Sequence, residues 1–179
     1  MSFQNFMLDI ETLGTDPDAV ILSIGCAAFD KDFKVSDSFY IELETTTQCR
    51  SVHISTVRWW ATQATGMPGD TDTAVTLNEA LIKLFEFIRN SAPQTVTPII
   101  WCKGPQFDAA ILTDAYNKAG TPTPWIYSNV RDLRTVLKLA RIPKPSVVSH
   151  NALQDCYDQI EQLSTALQVL GVSLEGDNS

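Results

Sequence analysis

Positive charge is scarce in this chain. Thirteen lysines and arginines stand against 21 aspartates and glutamates, giving a net charge of −8 and a sequence pI near 4.6. A broad basic surface that grips nucleic acid along its length is therefore excluded. A nuclease is not excluded, because acids that hold divalent ions present a positive field to phosphate. Cysteine is sparse too, and Cys26, Cys49, Cys102 and Cys156 form no Cys-x-x-Cys pair. Cys26 and Cys102 lie in apolar runs, so the four read as reduced, mostly core thiols. Cys49-x-x-x-His53 would be half a zinc site without a second half, and His53 reads as structural. No apolar run approaches the ~20 residues that span a bilayer. No basic leader precedes the first strand, and these two absences point to a cytoplasmic protein with no membrane partner. Repeats, low-complexity tracts and interdomain linkers are missing. So are Gly-x-Ser-x-Gly and Gly-x4-Gly-Lys-Ser/Thr, which removes the support for a serine hydrolase or a P-loop enzyme.

What is present is enough apolar residue for one core. Hydrophobic residues make up 44 % of 179, which suits a single globular domain over 1–179. The stretch Phe6-Met7-Leu8-Asp9-Ile10-Glu11-Thr12 alternates at a period of two and reads as a strand. Asp9 and Glu11 then project from one face. Two carboxylates on one face of a core strand repel each other and resist desolvation. A hard divalent cation between them relieves both problems. For the pair alone, an edge strand with a wet polar face is the plainer reading.

The remaining elements follow in order. A second strand is expected over Ala19–Phe29 and a third over Ser38–Leu43, an antiparallel meander with the first strand at its inner side. Ser55 is expected to cap a helix through Trp59 and Trp60. The simplest role for both tryptophans is packing; a stacking platform or dimer contact is the functional alternative. A helix over Leu77–Ile88, a strand over Thr97–Cys102 and a helix over Gln106–Ala119 come next. Asp108 thus falls just after a strand's carboxyl end, where open α/β sheets place ligands. A short strand over Trp125–Ser128, a helix through Leu133 and Leu137, and a 143–145 loop are expected. The last helix carries Leu153, Cys156, Ile160, Leu163, Leu167 and Leu170 at steps of three and four. Its tail, Glu175–Ser179, is expected to fray.

His150 stands just before that helix and Asp155 in its first turns. Five residues on a regular helix turn by roughly 140°, so the two converge only if His150 belongs to the entering loop. Asp9-x-Glu11, Asp108 and His150-x4-Asp155, in this order and context, resemble the DEDDh branch of the 3′→5′ exonucleases. The resemblance covers about residues 5 to 171. Ser55-Thr56-Val57-Arg58-Trp59-Trp60, the 101–108 segment Trp-Cys-Lys-Gly-Pro-Gln-Phe-Asp, and Asn129-Val130-Arg131-Asp132-Leu133-Arg134-Thr135 resemble a narrower branch. That branch contains phage exonuclease A and a mycobacterial exoribonuclease, and a chain this small fits a phage or prophage origin.

The resemblance implies an α/β, RNase H-like mixed sheet, a three-strand antiparallel meander plus parallel strands, flanked by helices. It implies a metal-dependent 3′→5′ exonuclease that releases nucleoside 5′-monophosphates from single-stranded DNA or RNA 3′ ends. Two Mg2+ (or Mn2+) would be held by Asp9, Glu11, Asp108 and Asp155, with Asp9 shared, and His150 would act as general base. Thr12, Leu13 and Gly14 would meet the terminal nucleotide. Arg131 is read as either a helix-start salt bridge with Asp132 or a phosphate contact, within the subunit or across a homodimer. Two alternatives stay open on the same fold: a catalytically silent nucleic-acid- or protein-binding module, and an RNase H-type endonuclease.

Overall fold

Strand β1 (Asn5–Thr12) becomes the middle of a five-stranded sheet of order β3-β2-β1-β4-β5. In this computed structural model, residues 4–92, 96–143 and 149–174 are described. β2 (Ile21–Phe29) pairs antiparallel with β1, and β3 (Val35–Glu42) antiparallel with β2. β4 (Ile99–Cys102) runs parallel beside β1, and β5 (Val130–Asp132) parallel beside β4. The sheet is therefore the expected meander extended by two parallel strands.

The period of two in β1 sorts its side chains between two cores. Phe6, Leu8 and Ile10 pack with α2 (Leu77–Ser91) and α3 (Asp108–Lys118). Met7, on the opposite face, packs with α4 (Leu133–Leu139) and α5 (Ala152–Leu170). Helices cover both faces, which is why all nine residues of β2 are buried. α1 (Ile54–Trp60) closes a small third cluster in which Trp60 meets Leu13, Val20 and Leu22. Among the described residues no helix is long and apolar enough to cross a membrane.

Several expected boundaries shift. β2 begins at Ile21, because Ala19 makes an isolated bridge to Ser51 instead. β3 lies over Val35–Glu42, and Leu43 bridges Val75. α1 has His53 at its cap with no side-chain cap bond, so Ser55 does not cap it. Thr76 does cap α2, accepting from the Glu79 N–H. The strand expected over Trp125–Ser128 is wrong. Trp125 is buried edge-on to Tyr116, a 3-10 turn covers Tyr127–Asn129, and the strand follows it as β5. Leu170 is 37 % exposed, so the apolar stripe of α5 ends before it. Residues 144–145 of the expected loop and the tail 175–179 lie outside the described residues.

Candidate active site

Asp9 and Glu11 share the α5 face of β1, as the strand period requires. In the β1–β2 register Asp9 stands opposite Gly25. Gly25 is what lets α5 sit so close. A Cβ there would stand 2.3 Å from the Ala152 carbonyl carbon, well inside any tolerated contact. The start of α5 therefore lies directly on the sheet, and Asp155 enters the site from its first turn. Asn151 caps the helix, its Oδ1 accepting from the Gln154 N–H at 3.0 Å. Ser149 Oγ donates to Asp155 Oδ1 at 2.9 Å.

His150 precedes the cap and has φ +52°. That left-handed backbone is uncommon for a residue with a Cβ and turns the imidazole back toward the helix's own first turn. Ligand atoms of Glu11, His150 and Asp155 consequently lie within 4.8 Å of one another. Trp59 packs edge-on against the imidazole, with centroids 4.7 Å apart at 90°. Trp59 is 40 % exposed and Trp60 is buried, its indole N–H donating to the Thr12 carbonyl. Packing thus accounts for Trp60, whereas Trp59 reaches the site.

Asp108 comes from the opposite side. β1 outruns its pairing with β4, which stops at Met7 opposite Trp101. The Ile10 N–H beyond that point donates to Asp108 Oδ1 at 3.3 Å. Gln159, one turn after Asp155, donates its Nε2 to Asp9 Oδ1 at 2.7 Å. Asp9, Glu11, Asp108, His150 and Asp155 together line one cleft of about 360 Å³.

The electrostatics are those of crowded, half-dry acids. Burial holds Asp9 well above the usual carboxylate range and the Asp108 charge adds to it, while the Gln159 bond opposes. Glu11 is pushed up to about 9 by burial first and then by Asp9 and Asp155. Burial raises Asp108 to about 7 against the Ile10 N–H. Lys103, on the same cleft wall, is lowered by burial. An all-oxygen donor set under this repulsion fits divalent cations such as Mg2+ or Mn2+.

Other expected residues lie elsewhere. Thr12, Leu13 and Gly14 do not line the cleft. The Thr12 hydroxyl donates to the Gly14 carbonyl, Leu13 is 7 % exposed within the Trp60 cluster, and Gly14 lies against Ala19 and His53. His53 pairs with Asp16 at 2.9 Å, a structural role as expected. Arg131 donates to the Ser128 and Val130 carbonyls, while Asp132 caps α4 by accepting from the Arg134 N–H. The expected Arg131–Asp132 salt bridge is therefore replaced by separate local bonds of each residue. Gln159, Lys103 and Arg134 line the cleft and were not singled out from sequence. Gln159 carried a signal in its i+4 spacing from Asp155 on the same helix, and Lys103 and Arg134 lie within two of the motifs of the narrower resemblance.

A family model described as 3'-5' exoribonuclease Rv2179c-like domain matches residues 4–167. An exodeoxyribonuclease of Enterobacteria phage T4 is 26 % identical over 204 residues, covering 92 % of this chain and 89 % of that one. Apo Exonuclease I shares the fold with a TM-score of 0.69 at 12 % identity. E. coli Exonuclease I in complex with a dT13 oligonucleotide gives 0.72, also at 12 % identity. Each match covers 94 % of this chain but 42 % of the solved one. The RNase H-like exonuclease fold is thus shared across nearly the whole chain, and the chain belongs to the 3'-5' exoribonuclease Rv2179c-like domain family of 3'-5' exonucleases.

Proposed function

We propose that this protein hydrolyses single-stranded DNA or RNA from its 3′ end, releasing nucleoside 5′-monophosphates. One observation carries the reading: four carboxylates from β1, α3 and α5 converge with His150 in a single cleft. The family description and the phage relative's name point to RNA and DNA respectively, so both sugars belong in the test. Exonuclease I in complex with a dT13 oligonucleotide supports a single strand as the substrate form.

Asp9, Glu11, Asp108 and Asp155 would hold two divalent cations. Bound there, such ions would lower the pKa of the attacking water and offset phosphate charge. The chain's own residues do the rest. His150 takes a proton from the water, a task suited to a histidine near neutral pH. The water oxygen bonds to phosphorus, the bond from phosphorus to the 3′ oxygen breaks, and that oxygen leaves with a proton from solvent. Trp59 keeps the imidazole from rotating away from Glu11 and Asp155. Gln159 and the Ile10 N–H fix Asp9 and Asp108, so little reorganisation accompanies the reaction. A module without catalysis has no use for a histidine strained into ligand distance of two carboxylates.

The test uses 5′-labelled single-stranded DNA and RNA of one sequence, with Mg2+ or Mn2+ and with chelator. A metal-dependent ladder shortening from the 3′ end is expected, and the faster ladder names the sugar. Internal cuts would move the reading to an endonuclease. Binding without cleavage would move it to a silent module.

A further inference from the structure

We propose that Lys103 and Arg134 form a phosphate subsite, taking the backbone phosphate adjacent to the one hydrolysed. This rests on the nuclease reading above. Both residues line the cleft that holds the carboxylates, and among the described residues no other lysine or arginine does.

The two are brought together by the sheet. Parallel pairing sets Cys102 opposite Asp132, so the residues that follow these strands, Lys103 and the first turn of α4, are neighbours. Arg134 Nη2 donates to the Lys103 carbonyl at 2.8 Å. Gly104 makes room for the guanidinium. Its φ is +125°, and a Cβ there would stand 3.2 Å from Arg134 Nη2.

Among the described residues neither side chain forms an ion pair with a carboxylate. Lys103 is half-buried and feels the charges of Asp155, Asp9 and Asp158 in the same cleft, so it sets positive charge at the edge of a carboxylate centre that would otherwise repel a phosphate. Arg134 is exposed. The pair thus runs outward from the carboxylate centre to solvent, the direction a strand must take on leaving it. A guanidinium and an ammonium together suit a phosphodiester. Two such contacts also fit a chain of net charge −8, which has few cations to offer a longer strand.

The experiment compares kcat/KM on a dinucleotide lacking a 5′ phosphate with kcat/KM on a hexanucleotide of related sequence. The proteins are the intact chain, Lys103→Gln, Arg134→Gln, the double variant and Lys103→Arg. Affinity for the hexanucleotide is measured against salt in Ca2+. The double variant is expected to lose roughly a hundredfold on the hexanucleotide, about tenfold per charge-assisted contact. Its loss on the dinucleotide, which has no adjacent phosphate, should be at least tenfold smaller. The log–log salt slope should become shallower by about 0.7, the value for one neutralised phosphate of a single strand. Lys103→Arg should keep most of the hexanucleotide activity. Equal losses at both lengths, or an unchanged salt slope, would overturn the subsite and leave Lys103 as a counter-charge to the carboxylates. Should the intact chain cleave neither strand, the nuclease reading fails, and the salt slope still decides the subsite.

Discussion

At the scale of residues, the site is a set of acids held where acids do badly. Glu11, pushed up to about 9, holds its proton in the fold across a range where the unfolded chain has released it. Asp9 and Asp108 are raised in the same sense. The native state then binds more protons than the unfolded state, so this contribution to stability falls as pH rises. The window runs from the ordinary carboxylate value of 4.5 to about 9. Without metal, the melting temperature should decline across it. Saturating Mg2+ or Mn2+ should flatten the decline, because the cation takes the place of the protons. Thermal melts at several pH values, with and without metal, check this, and a metal-free profile that rises through the window would contradict it. His150→Ala should cost two to four orders of magnitude in kcat, roughly the span of a general base. A loss below tenfold would remove it from that role. Asp9 and Glu11 were legible as a pair through the strand period, and Asp108, His150 and Asp155 through the resemblance to the DEDDh exonucleases. Lys103 and Arg134 were not, because they meet only through the β4–β5 register and the bare α carbon of Gly104.

At the scale of elements, the decisive contact is α5 against β2. The sequence announces α5 through its apolar spacing. It gives no warning that Gly25 is the reason the helix approaches the sheet, since a glycine within an apolar strand has several ordinary explanations. Gly25→Ala sets a methyl against the Ala152 backbone, which has no flexible end to yield. It should cost roughly 1–3 kcal/mol, as overpacking does. The start of α5 would have to lift, carrying His150 and Asp155 from Glu11. Activity should therefore fall by more than the folded fraction falls. Melting temperature and rate constants measured together check this, and a variant unchanged in both would show that the contact does not position the site. The misplaced strand near Trp125 has a similar cause. Its apolar residues serve the Tyr116 contact and the core rather than a ladder, and periodicity cannot separate those uses over four residues.

At the scale of the whole molecule, the proposed function would have an acidic chain handle a polyanion by confining positive field to one cleft. The fold supplies the place: the sheet turns from antiparallel to parallel pairing at β1, and the carboxyl ends of β1 and β4 open where α3 and α5 begin. Short turns made the antiparallel meander readable from the residues, whereas the two parallel strands were implied by the resemblance to the DEDDh exonucleases. Whether a carboxylate cluster binds metal or stands idle is a different matter, set by distances that no sequence pattern encodes. The most direct measurement of the central claim is release of nucleoside 5′-monophosphate by the intact chain and by Asp9→Asn at equal Mg2+. The account predicts product from the first and none above background from the second, with the thermal melt of the variant at or above that of the intact chain. Comparable product from Asp9→Asn would contradict a carboxylate-held cation centre.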